Sequence, residues 1–218
     1  MITKTDFLKY NQHPCWLWLS KNQPDLLPPV DENLAQMFED GNELEAFAAQ
    51  RFENVAFGEL SVVPGSVAMQ CVFAWGNLLI REPDGAIHLV EIKSSTRVKP
   101  EHLLDLAFQK RVIEESEQVI SRISVMHVNN SYVRSGEIDP HQLLTMTDVT
   151  AEVYALSENI ETQMRAAEST SQSVEMPDPS PRYCHKDFKK DWLRIARNLT
   201  KLPEGCVYEM PYLSLEAA

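Results

Sequence analysis

A carboxylate and a lysine two residues apart, Glu91 and Lys93, could do chemistry within the stretch REPDGAIHLVEIKSS at residues 81–95. Their apolar neighbours predict a strand, in which side chains two apart point to the same face. Such a carboxylate can help to hold Mg²⁺, while the lysine positions or activates a water and offsets charge at a phosphate. Glu-x-Lys is also common on exposed strands, so the pair alone does not define a site.

The turn before this strand decides which residue lies opposite Glu91. Residues 83–85 read Pro-Asp-Gly, in which proline presets φ and glycine takes the left-handed conformation, so they predict a turn. A three-residue loop makes Glu82 and Ala86 the flanking pair and sets Asn77 opposite Glu91 on the same face.

Asp84 is the literal candidate for a further carboxylate, because Pro-Asp followed by Glu-x-Lys is a known order of metal-binding residues. On the three-residue turn it lies about six residues from Glu91, roughly 20 Å away, so the two cannot share a metal. A two-residue turn would instead place Leu78 opposite Glu91, with no polar partner at that position.

The elements around this hairpin predict an α/β fold with a mixed central β-sheet flanked by helices. A short helix and a proline-rich loop are expected in the first 30 residues or so. The other predicted elements are a helix from Asp31 or Asn33 to about Phe52, strands within 67–75 and 121–130, and helices from Pro100 to about 117 and over 148–168.

Composition sets limits on partners and location. The chain has 218 residues and a net charge of −12, so contact with nucleic acid needs a local basic patch. Residues 186–201 hold six Lys or Arg against two Asp, and Lys189, Lys190 and Arg194 are the candidate phosphate contacts; a solvated helix face explains the same charges equally well. No apolar run approaches about 20 residues and the first residues lack an apolar signal core, so no membrane partner and a cytoplasmic location are expected.

The stretch HLVEIKSSTRVKPEHLLDLAFQ resembles the central motif of the PD-(D/E)xK nuclease superfamily, and is most similar to the RecB-like branch, which includes CRISPR-adaptation nucleases and a group of uncharacterised bacterial proteins. In that group a strand ending Glu-Val-Lys-Ser-Ser-Thr is followed by a helix with an Asp…Gln pattern. Glu91, Lys93, Asp105 and Gln109 occupy the matching positions. The resemblance implies a restriction-endonuclease-like core with Glu91, Lys93 and Gln109 as catalytic residues.

Other patches between residue 2 and about residue 150 resemble the same group. KTDFLKYNQHPCWLWLSKNQPDL is similar to its opening segment, and FEDGNELEAFAAQRF is similar to its first helix. Glu45 falls about where relatives carry an acidic or histidine metal ligand. The resemblance therefore implies Mg²⁺ or Mn²⁺ as cofactor, with Glu45, Asn77 and Glu91 as its ligands, and DNA as substrate.

Three departures from the family pattern bear on activity. The metal-binding aspartate would stand at Asn77, whose neutral amide supplies no charge to a metal; the sequence fits a natural asparagine and an engineered replacement equally. A tyrosine that often follows the helix glutamine is replaced by Ile113. Four scattered cysteines do not match the positions of an iron–sulfur cluster that many relatives carry, so no cluster is expected.

Two functions fit the sequence. The first is a metal-dependent DNA phosphodiesterase, and the second is a catalytically inactive nuclease-fold module that binds nucleic acid or a protein partner. The predicted division is a nuclease-like core with its N-terminal helical segment over 1–168, a linker over 169–181, and a basic helix and tail over 182–218.

Overall fold

A computed structural model describes residues 2–28, 44–48, 50–52, 55–57, 71–74, 77–82, 84–115 and 117–210 of the chain, and for 55–57, 71–74 and 77 it describes the backbone. The chain forms two compact units. The helical unit comprises Met1–Pro29 and Glu161–Ala218, and the sheet unit comprises Val30–Ile160. The predicted division at residues 168 and 182 stays a prediction.

Within the described residues, six strands form one mixed sheet, in the order β1 to β6. Their bounds are Val55–Phe57 (β1), Cys71–Ala74 (β2), Asn77–Arg81 (β3), Ile87–Lys93 (β4), Ile120–Val128 (β5) and Leu144–Asp148 (β6). The β1–β2 and β4–β5 pairs are parallel, and the remaining neighbours are antiparallel. The mixed sheet predicted from the sequence is confirmed, whereas β1 and β6 are strands that the sequence patterns did not predict.

The turn between β3 and β4 has the predicted three-residue form. The Glu82 N–H donates to the Ala86 carbonyl at 2.8 Å, which closes the loop. Gly85 has a φ of 87°, the left-handed conformation that glycine adopts without steric cost. The Asp84 carboxylate accepts from the Ala86 N–H at 3.0 Å and so stabilises the turn. This turn sets Asn77 opposite Glu91 in the backbone register, as predicted.

The two faces of β4 contact different helices. Val90 and Ile92 belong to an apolar cluster that also contains Leu44 and Ala48, from the short helical stretch at residues 44–48, called α3 here. Glu91 points to the other face, where Gln109 of helix α4 (Pro100–Glu114) donates to it. The sheet is therefore flanked by helices, as the alternation of side chains along a strand requires once both faces are buried.

Helix α4 begins where the sequence predicts. Pro100 takes the first helical position, where its missing N–H costs no hydrogen bond and its fixed φ suits a helix. The ring Nδ1 of His102 accepts from the Lys99 N–H at 3.3 Å, and the His102 N–H donates to the Lys99 carbonyl at 3.0 Å. These bonds fix the start of α4 relative to the loop that leaves β4.

The last strand of the sheet, β6, lies between two helices in the chain. A short helix α5 (Pro140–Leu143) leads into β6, and α6 (Thr150–Gln172) follows. Residue Asp148 accepts from the Thr150 N–H at 2.9 Å at the start of α6. Helix α6 extends beyond the predicted end at residue 168, so its last turn covers the first residues of the stretch predicted as a linker.

The N-terminal part of the helical unit contains two helices, α1 (Lys4–Gln12) and α2 (Pro14–Asn22), where one short helix was predicted. Pro14 opens the second helix because it has no N–H to continue the first. His13 precedes it, and its ring Nδ1 accepts from the Cys15 N–H at 3.0 Å. Its Nε2–H donates to the Ser180 carbonyl at 3.0 Å.

An apolar cluster holds these helices together with α7 (Lys189–Thr200). The His13 ring stacks on Trp192, with 3.9 Å between ring centroids. Cys15 and Cys184 are free thiols buried in the cluster, and burial raises the pKa of each to about 12. Of the helices that the structure describes, none is both long and apolar enough to cross a membrane.

Candidate functional site

Four polar side chains of β4 and α4 converge on one face of the sheet. Glu91 and Lys93 share that face because they are two residues apart in a strand. Asp105 and Gln109 share one face of α4 because they are four residues apart in a helix. The packing of α4 against β4 brings the two pairs into direct contact. The four side chains are called the Glu91 network.

Lys93 lies between the two carboxylates of the Glu91 network. Its Nζ is 2.5 Å from Oε1 of Glu91 and 3.1 Å from Oδ2 of Asp105. Gln109 makes a matching pair of bonds, because its Nε2 donates to Oε2 of Glu91 at 2.8 Å and to Oδ1 of Asp105 at 2.7 Å. Each of the four carboxylate oxygens thus contacts a donor of Lys93 or Gln109, and the side chains form a closed ring.

Burial makes these contacts energetically important. Glu91 is 1 % exposed, Asp105 is 2 % exposed and Gln109 is 9 % exposed, whereas the Lys93 side chain is 28 % exposed. Carboxylates removed from water need paired charges and hydrogen bonds, since an uncompensated buried charge costs several kcal/mol or more. The network meets that need, and Lys93 is its most solvent-exposed member.

The protonation state of Lys93 follows from its neighbours. Burial by itself lowers the pKa of the Lys93 ammonium, but the charges of Glu91 and Asp105 and their hydrogen bonds raise it by more. The resulting pKa is above the ordinary lysine value, so Lys93 is an ammonium at neutral pH. In this arrangement Lys93 can donate hydrogen bonds and stabilise negative charge, but it is not a general base.

The structure brings together the three predicted catalytic residues, Glu91, Lys93 and Gln109. The backbone of Asn77 lies opposite Glu91, while its side chain is outside the described part of the chain. Glu45 lies in α3, which packs through Leu44 and Ala48 on the face of β4 that carries Val90 and Ile92. Its role as a metal ligand, like that of Asn77, stays a prediction.

Asp105 is the member of the network that the sequence left without a role. The family pattern included its position, but nothing in the sequence connected it to Lys93. Its spacing of four residues from Gln109 on a helix that follows Lys93 is the signal that identifies it in retrospect.

Two histidines lie close to the network. His102 is 5 % exposed, and burial followed by the charge of Lys93 lowers its pKa to about 4. His127 is the register partner of Lys93 on β5, and its Nε2 is 2.9 Å from the Thr147 hydroxyl. Both rings are hydrogen-bonded within the fold, and the lowered pKa of His102 makes that ring a neutral neighbour of the network at neutral pH.

The predicted nucleic-acid contacts lie on α7 in the helical unit. Lys190 and Arg194 are exposed and one turn apart, and Lys189 is half-buried. Trp192 and Ile195 anchor the opposite side of this helix in the apolar cluster. The row formed by Lys189, Lys190 and Arg194 is called the α7 basic row.

The donor chemistry of the network suits a hard divalent cation. Among the described residues there is no group of three or more His, Cys, Asp or Glu side chains arranged to hold a metal. Mg²⁺ is nevertheless commonly held by one or two carboxylates, with waters and substrate phosphates completing its shell. Glu91 and Asp105 provide two carboxylates in one place, so they fit this manner of binding.

Comparison with known proteins adds no relative: no family model, curated protein or solved structure matches the chain. The resemblance to the PD-(D/E)xK superfamily therefore depends on the quoted residues, and membership stays a prediction. The backbone register and the contacts of the Glu91 network are observations that hold whether or not that resemblance is correct.

Proposed function

We propose that the chain is a metal-dependent DNA phosphodiesterase of the PD-(D/E)xK type, with a restriction-endonuclease-like core. The observation that supports it is the Glu91 network: a strand carboxylate and a lysine on one face, joined to a helix glutamine. The backbone of Asn77 lies opposite Glu91 in the β3–β4 pair, and the resemblance implies the family's metal-binding aspartate at this position. Glu91, Lys93 and Gln109 keep the residue types of the family pattern in one constellation, whereas Asn77 departs from it.

Each residue of the network would have its own role in the reaction. Glu91 would hold Mg²⁺ or Mn²⁺, and Asp105 would supply a second carboxylate. Asn77 and Glu45 are the further ligands predicted from the resemblance. The bound ion would polarise the phosphate and lower the pKa of its water. Gln109 fixes the orientation of the Glu91 carboxylate by donating to Oε2.

Lys93 contributes charge rather than proton abstraction. Its ammonium would donate hydrogen bonds to the attacking water or to a phosphate oxygen, where negative charge increases in the transition state. In hydrolysis the water oxygen bonds to phosphorus and releases a proton to solvent, the P–O bond to the leaving group breaks, and the leaving oxygen takes up a proton from solvent. In the ring that the structure describes, Glu91 and Asp105 raise the pKa of Lys93, so the ammonium is protonated at neutral pH.

A second function, a catalytically inactive module that binds nucleic acid or a protein partner, is favoured by a different observation. Asn77 carries no charge, and all four carboxylate oxygens of Glu91 and Asp105 already contact Lys93 or Gln109. A metal would have to displace part of this ring. The α7 basic row would then be the phosphate contact.

Cleavage of DNA by the parent chain and by Asn77→Asp separates the two functions. Single-stranded and duplex oligonucleotides are incubated with Mg²⁺ or Mn²⁺, and products are resolved by gel electrophoresis. Asn77→Asp is expected to raise the cleavage rate about tenfold or more, because a charged ligand strengthens metal binding. Asn130→Asp, which makes the same charge change in an exposed loop, is the matched control and leaves the rate unchanged.

Two results would contradict the nuclease proposal. One is the absence of cleavage by Asn77→Asp with either metal. The other is cleavage by the parent chain that survives Lys93→Ala in a sample whose far-ultraviolet circular dichroism matches that of the parent. Lys93→Arg, which keeps the positive charge, separates loss of the ammonium's chemistry from loss of the fold.

A further inference from the structure

The Glu91 network opens to solvent at the end of β4. Glu91 and Asp105 are almost completely covered, whereas more than a quarter of the Lys93 side chain is exposed. The chain leaves β4 directly after Lys93 and forms a loop of residues 94–99 before α4 begins. Since Ser94 is bonded to Lys93, this loop begins beside the exposed end of the network.

Hydrogen bonds at three points hold the loop of residues 94–99 in place. The Val128 N–H at the end of β5 donates to the Ser95 carbonyl at 3.0 Å. The Ser95 hydroxyl donates to the Arg97 carbonyl at 2.8 Å. At its far end, the Lys99 N–H donates to the His102 ring. A loop fixed in this way loses little conformational entropy when a ligand binds.

The side chains that the loop presents to solvent are hydroxyls and cations. Ser94, Thr96, Arg97 and Lys99 are exposed. The Lys99 ammonium is 3.6 Å from the Glu101 carboxylate, which offsets part of its charge. The Arg97 guanidinium forms no ion pair with any residue in the described part of the chain, so its full charge is available to an anion. Guanidinium and hydroxyl groups together are suited to phosphate oxygens.

We propose that the loop of residues 94–99 binds the phosphate backbone of DNA beside Lys93, with Arg97 as its principal contact. This proposal rests on the proposed nuclease function, because it names the surface on which that substrate would lie. The contact is to phosphate and not to bases, so it favours no sequence. It differs from the α7 basic row, which belongs to the helical unit.

Fluorescence anisotropy with labelled DNA of 15 nucleotides or 15 base pairs, in EDTA, tests the loop without requiring metal or cleavage. Arg97→Gln is expected to weaken binding about three- to tenfold at low salt for every sequence tried. The slope of log affinity against log salt should fall by about 0.7 for single strands or about 0.9 for duplex, the value for one lost phosphate contact. Arg97→Lys retains most of the affinity because it keeps the charge.

Arg134→Gln is the matched control, since Arg134 is an exposed loop arginine of the same unit whose Nε–H donates to the Gly136 carbonyl. Both its affinity and its salt slope should equal those of the parent. Far-ultraviolet circular dichroism and thermal unfolding confirm that each variant is folded.

The outcomes distinguish this proposal from the proposed function. Equal affinity and slope for the parent and Arg97→Gln overturn the loop proposal, and cleavage by Asn77→Asp would still support the nuclease. A parent chain that binds no DNA also overturns the loop proposal. Binding that depends on Arg97, with no cleavage by any variant, supports the loop and contradicts the nuclease.

Discussion

His13 in the helical unit and Glu91 in the sheet unit are both almost fully buried, but their polar atoms are satisfied in different ways. The ring of His13 accepts from one backbone N–H and donates to one backbone carbonyl, and its face stacks on Trp192. Glu91 is held by the side chains of Lys93 and Gln109. The first arrangement contains no charged group, whereas the second pairs one ammonium with two carboxylates.

The difference has a functional meaning. A neutral ring bonded to the backbone stabilises one fold and leaves nothing available for a ligand. A ring of charged side chains can exchange one of its members for a cation or an anion, and Lys93 connects it to solvent. Buried charged networks are also costly to maintain, so a site is the natural place to find one. For this reason the Glu91 network, rather than the His13 cluster, is the basis of the proposed function.

The largest effect is expected from removing the charge of Lys93. Lys93→Met keeps much of the side-chain volume but leaves two buried carboxylates without their cation, which should lower the free energy of unfolding by about 4 kcal/mol. Urea unfolding followed by circular dichroism measures this. The difference in unfolding free energy between the parent and Lys93→Met should become smaller as the pH falls, because protonation removes charge from the carboxylates. Lys190→Met, at an exposed position on α7, is the control. An equal loss of unfolding free energy in both variants would contradict the inference that Lys93 compensates buried charge.

A smaller, pH-dependent effect is expected at His13. Burial lowers its pKa to about 4, against an ordinary value of 6.5, and the Ser180 bond and the charge of Asp178 only partly oppose this. The unfolded chain therefore binds more protons between these values. The stability contributed by neutral His13 is complete above about pH 6.5 and falls as the pH is lowered through about 4, by about 3 kcal/mol in all.

Nuclear magnetic resonance titration of the His13 ring measures the shift directly. In urea unfolding at several pH values, His13→Phe, which retains the stacking on Trp192, should depend less on pH in this window than the parent. His88 and His102 also have pKa values lowered to about 4, so part of the dependence will persist in the variant. A His13 titration near 6.5 would refute the account of this cluster.

The smallest effect on stability is expected on the α7 basic row. Replacing Lys189, Lys190 and Arg194 together by glutamine should change the free energy of unfolding by no more than about 0.5 kcal/mol per position, as for most surface sites. DNA affinity should nevertheless fall, with a shallower salt dependence, if this row contacts phosphates. Anisotropy measures the affinity. Unchanged binding would remove the row from the nucleic-acid interface and leave a solvated helix face.

Local sequence signals predicted several parts of the fold correctly. Pro-Asp-Gly identified the turn, and the turn fixed the register of Asn77 against Glu91, because a hairpin has few loop lengths compatible with that composition. Pro100 identified the start of α4. The strand β6 escaped prediction because its five residues, Leu144–Asp148, follow a four-residue helix and carry only a weak alternation of Leu144 and Met146 with threonines.

What the sequence by itself determined is the placement of side chains within each element. Alternation along β4 puts Glu91 and Lys93 on one face, and helical spacing puts Asp105 and Gln109 on one face of α4. Only the tertiary structure decided that these two faces meet and close a ring of four contacts. The packing of a helix on a sheet depends on apolar contacts between residues far apart in the chain, and no local pattern of residues specifies it.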